Sequence, residues 1–240
     1  FATVEVLDLT SDEIAILTAA AQLDWSSVEP AIFGTLFERS LDPAKRSQLG
    51  AHYTSRTDIE RVIDPVIMTP LRRRWDEVRA DLDAIKTRWD AATTNQTRTN
   101  RRNDYLKAFN GFREELAAVT VLDPACGSGN FLYVALERLL SLEKEVITYG
   151  ANQGLPLGAP AIRPTQVMGL EINEYAQQLA QVVIWIGYLQ WMLRNGFGYS
   201  EPILEALDSI RLQDSLLDFH EDGTVTEATW PAAQYIVGNP

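Results

Sequence analysis

The pattern of the chain changes after Ala118, and this change constrains the fold more than any other feature of the sequence. Short apolar runs typical of strands then alternate with two long runs of helical periodicity. The predicted strands are 119–122, 166–170, 210–212 and 235–237, and the predicted helices are 130–149 and 174–195. Parallel strands need long crossover connections, which are usually helical, so this alternation predicts a parallel sheet with covering helices. We assign the Gly/Pro-rich segment 150–164 to a surface loop.

The part of the chain up to residue 118 has a helical pattern. Helices are predicted to begin near Ser11 and Arg56 and to span 27–40, 71–92 and 101–118. The polar segment 93–100 separates the last two helices, which predicts a helical hairpin with an exposed tip. The expected architecture is therefore an α/β sheet preceded by an α-helical region.

Charge is unevenly distributed along the chain. The formal net charge is −12, which by itself disfavours a nucleic-acid partner, because such proteins usually present a basic surface. Residues 72–113 nevertheless contain eleven Lys/Arg and six Asp/Glu, whereas residues 1–118 and 119–240 total −3 and −9. The spacing of Arg72 with Asp76, and of Arg73 with Glu77, favours local ion pairs on a solvated face. Contact with DNA phosphates is the alternative interpretation.

Cysteine and histidine are too scarce for several classes of site. Cys126 is the single cysteine, which excludes an intramolecular disulfide, and with His52 and His220 as the two histidines we expect no metal centre. The longest apolar stretch, 176–193, is interrupted by four glutamines, so we expect no membrane-spanning helix. No secretion signal is visible, and a reducing, cytoplasmic setting is expected.

The strongest local signal is the segment 121–132, which reads Val-Leu-Asp-Pro-Ala-Cys-Gly-Ser-Gly-Asn-Phe-Leu. It predicts a buried strand that ends at Asp123, then a glycine turn and a helix. Glycines let the backbone approach a ligand closely, and a helix N-terminus presents unpaired N–H groups. The third glycine of a dinucleotide-binding motif is missing because Leu132 stands there, so NAD binding is disfavoured. A tight turn without a ligand is the alternative.

Polar side chains follow each of the predicted strands. These are Asp123, Glu171, Asp214 and Asn239. A carboxylate in this position can accept hydrogen bonds from both hydroxyls of a ribose. Any one of the four could be an ordinary solvated loop residue, but four in succession at one edge of a parallel sheet indicate a ligand-binding edge.

The motifs together resemble those of the amino-methylating DNA methyltransferases that use S-adenosylmethionine. They are Tyr53-Thr54, Asp-Pro-Ala-Cys-Gly-Ser-Gly-Asn-Phe at 123–131, Gly-Leu-Glu-Ile-Asn at 169–173, Gln-Asp-Ser at 213–215, and Asn239-Pro240. Segments 33–39, 50–55 and 183–191 are more narrowly similar to the MmeI-like adenine methyltransferases of type II restriction-modification enzymes.

The resemblance implies a Rossmann-like class I methyltransferase sheet, incomplete at its C-terminal end. It implies a helical spacer over 1–48, a helical N-terminal part of the methyltransferase over 49–118, and the cofactor-binding core over 119–240. The implied cofactor-binding residues are Tyr53, Thr54, Asp123, Pro124, Ala125, Cys126, Gly127, Gly129, Asn130, Phe131, Glu171, Ile172, Asp214, Ser215 and Leu216.

Individual roles follow from the same resemblance. Tyr53, Thr54 and the turn 123–129 would surround the methionine part of the cofactor, and Glu171 would bind its ribose. Ile172 would pack on the cofactor's adenine, with Leu216 lining the same face, and Asp214 would accept from the adenine amino group.

Asn239 and Pro240 would begin the catalytic Asn-Pro-Pro-aromatic motif. The resemblance implies that their oxygens accept the protons of a flipped adenine amine, a reaction that needs neither a metal nor an activated nucleophile. Cytosine C5 methylation requires a cysteine nucleophile and is disfavoured.

Double-stranded DNA is the implied partner, bound through a target-recognition region outside this chain and, in the alternative interpretation above, through hairpin 72–113. The motif breaks off after Pro240, so the isolated chain is expected to be inactive. Methylation of protein glutamine or of RNA bases, and a non-catalytic interaction module, remain alternatives. The oligomeric state stays open.

Overall fold

The computed structural model describes residues 8–23, 28–32, 34, 54–198, 207–220 and 222–239 of the 240. The helices are α1 (Ser11–Ala21), α2 (Arg56–Ile63), α3 (Thr69–Asp90), α4 (Asn95–Ala117), α5 (Asn130–Asn152) and α6 (Glu174–Arg194), with a π-helical turn at Asp64–Met68 and a 3₁₀ turn at Pro164–Gln166. The strands are β1 (Val121–Asp123), β2 (Val167–Glu171), β3 (Ile210–Leu212), β4 (Leu217–Phe219), β5 (Val225–Glu227) and β6 (Tyr235–Ile236).

The main sheet is four-stranded and parallel, in the order β3-β2-β1-β6. Leu122 of β1 is in register with Met168 of β2 on one side and with Ile236 of β6 on the other. The connections β1-α5-β2 and β2-α6-β3 place two helices against the sheet, where α5 and α6 also pack on each other. The predicted α/β class and parallel sheet are confirmed, and the carboxyl ends of all four strands lie at one edge.

The strands β4 and β5 form a separate antiparallel hairpin that the sequence analysis did not predict. Each strand is only three residues long and neither is buried, so even the alternation in Leu217-Asp218-Phe219 is too short to predict a strand. Polar contacts hold the hairpin instead: Asp222 accepts from the backbone N–H of Thr224 at 2.9 Å, and the His220 ring lies 2.7 Å from the hydroxyl of Thr226.

The region before the sheet contains the predicted helical hairpin. We call α3 and α4 together the helical arm. Trp75 stacks on Phe112 with ring centroids 5.2 Å apart, and Leu82 and Leu116 are fully buried. The predicted polar tip over 93–100 was too long, because residues 95–100 form the first turns of α4. Thr94 caps that helix by accepting from the backbone N–H of Thr97, so a polar sequence here starts a helix rather than interrupting one.

The ion pairs predicted from spacing within α3 were wrong. Arg72 pairs with Glu145 of α5 at 2.9 Å instead of with Asp76. Glu77 pairs with Arg74 instead of with Arg73, and Arg74 also reaches Glu115 of α4 at 2.9 Å. Asp76 pairs with Arg79. The packing of α5 and α4 on α3 therefore gave Arg72 and Arg74 partners that sequence spacing could not reveal, whereas Arg74–Glu77 and Arg79–Asp76 are pairs three residues apart within α3.

One further expectation needs correction. The predicted surface loop 150–164 is partly buried, because α5 continues through Asn152 and Ile162 is fully buried. Buried Glu143 fixes this loop by accepting from the backbone N–H groups of Ala161 and Ile162. The apolar stripe of α1, which includes Ile14 and Leu17, is exposed within the described part of the chain.

The remaining helix prediction, 27–40, falls largely outside the described residues. Among the helices that the structure describes, none is both long and apolar enough to cross a membrane.

Candidate functional site

The predicted strand-end residues meet at the carboxyl edge of the sheet. Asp123 and Glu171 are the last residues of β1 and β2, Asp214 follows β3, and Asn239 follows β6. The strand order β3-β2-β1-β6 therefore arranges them in the order Asp214, Glu171, Asp123 and Asn239 along the edge. We call this edge, with the glycine turn 124–129, the site edge.

Backbone hydrogen bonds join the glycine turn to β2. The N–H of Cys126 donates to the carbonyl of Leu170 at 3.0 Å, and the N–H of Gly127 donates to Oε2 of Glu171 at 2.8 Å. Gly127 and Gly129 both have positive φ, +53° and +83°, a conformation that favours glycine. A Cβ on Gly129 would also lie only 3.0 Å from Cβ of Ala180 in α6. The sequence therefore needs glycine here for the turn and for close helix packing.

Glu171 is a fixed acceptor. Its Oε1 accepts from the N–H of Asn173 at 2.8 Å, and Oε2 accepts from Gly127 as above. Asn173 in turn caps α6 by accepting from the N–H of Ala176. Each carboxylate oxygen can accept a second hydrogen bond, so the half-buried group can still bind two ligand hydroxyls.

Asp123 lies beneath this edge and is only 1% exposed. Burial raises the pKa of its carboxyl to about 7, the N–H of Ala125 at 3.1 Å opposes the shift, and the charge of Glu171 adds to it. Gly238, next to Asn239, lies over the carboxyl so closely that a Cβ there would be 2.5 Å from Oδ1. The turn after β6 therefore requires glycine at 238. The sequence analysis did not identify this contact between Gly238 and Asp123.

Cys126 is buried in the turn and is not suited to nucleophilic chemistry. A Cβ on Gly169 of β2 would lie 2.6 Å from its Sγ, so the thiol fills the space that this glycine leaves. Burial raises the pKa of the thiol well above its usual value, and the nearby carboxyls of Asp123 and Glu171 add to the shift. The thiolate, which is the reactive form, is therefore disfavoured.

Two apolar side chains project from the site edge. Ile172 is 62% exposed and Leu216 is 70% exposed. Asp214 shapes the second of these positions, because its Oδ1 accepts from the N–H groups of Leu216 and Leu217 at 2.8 and 3.2 Å. The neighbouring carbonyl of Ser215 accepts from the indole of Trp230 at 2.6 Å. Exposed apolar groups beside fixed acceptors suit a flat ring with polar edges.

Asn239 contacts the segment that precedes α2. Its Nδ2 donates to Oγ1 of Thr54 at 3.4 Å. Thr54 adjoins Ser55, which caps α2 by accepting from the N–H of Asp58. Tyr53 and Pro240, the neighbours of this pair in the predicted site, lie outside the described residues.

The other predicted residues differ in accessibility. Pro124 and Ala125 are half-buried, whereas the side chain of Phe131 packs in the hydrophobic core and leaves only its backbone near the turn. Asn130 is buried, and its Oδ1 has no hydrogen-bond partner in the described structure.

Gly34, which was noted only as part of a family segment, packs on the glycine turn. A Cβ there would be 2.1 Å from Oγ of Ser128, so a side chain at 34 would displace the turn.

The helical arm lies at the far end of α5 from the glycine turn. Tyr149, near the end of α5, donates to Asp83 of the arm at 2.7 Å, and its ring meets that of Trp75 edge-on at 5.3 Å. The helix rise places Tyr149 about 30 Å from the turn at residue 130. The contact of Tyr149 with the helical arm and the glycine turn therefore lie at opposite ends of α5.

Comparison with known proteins identifies the family. The family described as "MmeI, DNA-methyltransferase domain" matches residues 93–240. The chain belongs to this family. DNA methyltransferase A of Bacillus subtilis (strain 168) is 30% identical over 172 residues, which are 71% of this chain and 17% of that protein. A Methanocaldococcus jannaschii protein, named as a type II restriction enzyme and methyltransferase, is 22% identical over 214 residues, 81% of this chain and 17% of its own length.

A solved structure agrees with the sequence comparison. The type IIL restriction-modification enzyme MmeI in complex with DNA matches with a TM-score of 0.58 and 30% identity, over 81% of this chain and 24% of the MmeI chain. The chain thus spans 17–24% of the length of these relatives.

Proposed function

We propose that this chain is the S-adenosylmethionine-binding part of a DNA adenine-N6 methyltransferase from a type II restriction-modification protein. The observation that carries the proposal is the site edge, where Asp214, Glu171, Asp123 and Asn239 lie in that order at the carboxyl ends of four neighbouring strands. Membership of the MmeI DNA-methyltransferase family supports DNA as the substrate over protein glutamine or RNA. The division into 1–48, 49–118 and 119–240 belongs to the same proposal.

The residues of the site edge fit the cofactor. Apart from the two chain neighbours of Gly127, no atom of the described residues lies within 4 Å of the position that a Cβ there would take, so the turn leaves open space beside the free lone pairs of Glu171. Glu171 would bind the ribose hydroxyls, and Asp214 would accept from the adenine amino group. Ile172 and Leu216 would cover the adenine ring, whose burial is favourable. S-adenosylmethionine, when bound, supplies a methyl group on a positively charged sulfur.

The remaining predicted residues would complete the cofactor site. Tyr53, Thr54 and the turn from Asp123 to Gly129 would surround the methionine part. The half-buried Ser215 would support the adenine end through its position between Asp214 and Leu216. Asn130 would bring its unpartnered Oδ1 to the same turn.

Asn239 would act on the substrate amine. The N6 lone pair of adenine is delocalised into the ring, so the amine is a poor nucleophile until acceptors draw its protons out of the ring plane. Oδ1 of Asn239 and the carbonyl of Pro240 would supply those acceptors. Held by these acceptors, the amine would keep its lone pair available for the methyl group that the bound cofactor would supply. These residues catalyse by positioning and electrostatics, without a covalent intermediate on the protein.

DNA would be recognised chiefly by regions outside this chain, because base-edge contacts come from a separate target-recognition region. A protein of this function would act on cellular DNA, and we place it in the cytoplasm. The acidic site edge suits a cofactor pocket rather than a phosphate-binding surface.

Methyl transfer by the full-length protein tests the proposal. The protein is incubated with labelled S-adenosylmethionine and unmethylated bacteriophage DNA, and the digested nucleosides are analysed by mass spectrometry. We expect N6-methyladenine, and we expect Asn239→Ala to lower its rate of formation by about 100-fold, as for other polar groups that contact a transition state. Cofactor affinity of this variant, measured by calorimetry, should stay unchanged. Label in cytosine or in added protein or RNA, or no label in DNA, would refute the assignment.

A further inference from the structure

Thr54 has a contact that the resemblance to the family does not imply. The family motif assigns it to the cofactor, yet in the structure its hydroxyl accepts from Nδ2 of Asn239 at 3.4 Å. We propose that Thr54 is a positioning residue, which holds the Asn239 amide in the orientation that presents Oδ1 to the substrate amine. This inference rests on the proposed function, because it concerns how Asn239 acts.

The orientation matters because the two ends of an asparagine amide are chemically opposite. The carbonyl oxygen accepts hydrogen bonds, whereas the NH₂ group donates two. If the amide rotated by half a turn, its NH₂ would face the NH₂ of adenine, and two donors would oppose each other. In the structure the Thr54 hydroxyl accepts from Nδ2, so Oδ1 stays available to accept from the substrate amine. Asn239 is exposed, so without this contact its side-chain amide would be free to rotate.

Thr54 itself is held in place by its neighbours in the chain. Ser55 caps α2, and Arg56 pairs with Glu137 of α5 at 2.7 Å and with Glu60 at 3.1 Å. The apolar side of α2 is also fixed, since Ile59 and Ile63 are buried. The hydroxyl is therefore attached to a helix that packs on α5, the helix that begins at the glycine turn.

Asn239 is held from the other side. The close approach of Gly238 to the Asp123 carboxyl fixes the backbone of the turn after β6. The strand before this turn, β6, pairs with β1. The N–H of Val237 also donates to the carbonyl of Leu122 in β1 at 2.9 Å. Backbone position is thus set by β1, whereas the side-chain amide depends on Thr54. Within the Tyr-Thr-Ser segment, Thr54 then positions the side chain of Asn239, and Ser55 caps the helix.

The experiment separates this role from direct cofactor binding. The full-length proteins carrying Thr54→Val, which keeps the shape but removes the hydroxyl, and Thr54→Ser, which keeps the hydroxyl, are compared with the unchanged protein. Thr57→Val makes the same chemical change at an exposed position of α2 and serves as the matched control. Single-turnover methylation of unmethylated bacteriophage DNA is measured at saturating S-adenosylmethionine, and cofactor affinity is measured separately by calorimetry.

We expect Thr54→Val to slow single-turnover methylation by about 3- to 10-fold at saturating cofactor, the change expected for loss of one ordinary hydrogen bond. Thr54→Ser should restore the rate to within about 2-fold, and Thr57→Val should not change it. If Thr54→Val changes only cofactor affinity, if it changes nothing, or if Thr54→Ser is equally slow, the inference is wrong. No methylation by the unchanged protein would overturn the proposed function and this inference with it.

Discussion

The two ends of α5 hold their acidic side chains in different ways. At the site edge, Asp123 and Glu171 accept from backbone N–H groups, and in the described part of the chain neither pairs with Lys or Arg. At the arm, Glu115 and Glu145 pair with exposed arginines. At Glu171, backbone donors fix the carboxylate without neutralising its charge, which suits ligand binding, whereas exposed ion pairs contribute little to stability. The partners that hold an acidic side chain thus indicate function, and the number of charged residues does not.

The largest expected effect of this difference is on how stability depends on pH. Burial, together with the charge of Glu171, raises the pKa of Asp123 from 3.8 to about 7 in the folded protein. Between about pH 4 and 7 the unfolded chain ionises at this position while the folded chain keeps its proton. Asp123 therefore lowers stability as pH rises through that window, by up to about 1.4 kcal/mol per pH unit. Urea unfolding at several pH values should show that Asp123→Asn removes this decline.

Glu115 should show the opposite sign at the arm. Arg74 lowers the pKa of this exposed carboxyl below 4.5. The contribution of Glu115 to stability is therefore present above pH 4.5 and is lost as the pH falls through the pKa of the folded protein. Glu115→Gln should consequently lose stability at neutral pH and match the unchanged protein in acid. If both variants shifted the pH profile in the same direction, the proposed contrast between the two ends would be wrong.

The second expected effect is on cofactor affinity. Glu171→Ala removes the acceptor assigned to the ribose hydroxyls and releases the N–H groups of Gly127 and Asn173. We expect the Kd for S-adenosylmethionine, measured by calorimetry, to rise about 10- to 100-fold, because hydrogen bonds to a charged group are involved. Glu115→Ala removes an equal charge at the other end and should leave the Kd unchanged. Equal effects of the two variants would show that overall charge, and not the site edge, determines binding.

Much of this contrast could be predicted from the sequence. The position of the strand-end acids could be predicted from hydrophobic periodicity and turn residues, because a parallel sheet must bring the carboxyl ends of its strands to one edge. The contacts of Gly238 with Asp123, and of Gly169 with Cys126, could not be predicted, since each joins residues far apart in the chain. The predicted pair of Arg72 with Asp76 failed for the same reason, because local spacing shows which pairs can form within a helix, but not that Glu145 of a neighbouring helix lies closer.

The third expected effect compares two glycines. Gly169→Ala would place a Cβ 2.6 Å from Sγ of Cys126 and 3.0 Å from Cδ1 of Leu132. We expect a loss of about 1–2 kcal/mol in the free energy of unfolding, in the lower part of the range for overpacked cores. Gly111→Ala in α4 meets no atom of the described residues within 4 Å outside the adjacent backbone of its own helix, and should instead stabilise by about 0.5–1 kcal/mol. Urea denaturation measures both.

A rescue variant separates overpacking from other causes. Cys126→Ala removes the sulfur that the new methyl group would contact, so Gly169→Ala combined with Cys126→Ala should recover part of the lost stability. The two changes should thus be non-additive, as expected for residues in contact. Strict additivity would mean that the close approach of Gly169 and Cys126 is not what requires glycine at this position.

The smallest expected effect concerns DNA and the basic arm. Arg102 is exposed on α4, and the arm lies about 30 Å from the glycine turn, several times the Debye length of about 8 Å at physiological salt. Six of the eleven arm cations already pair with acids in the described structure. We therefore expect Arg102→Glu to change the Kd of the full-length protein for DNA by less than about 2-fold, as judged by fluorescence anisotropy across a salt titration.

A larger loss of DNA affinity, with a shallower salt dependence, would show that the arm contacts phosphates directly. The arm at one end of α5 would then bind the DNA backbone, and the site edge at the other end would bind the cofactor. The two ends would thus differ in the ligand that each binds.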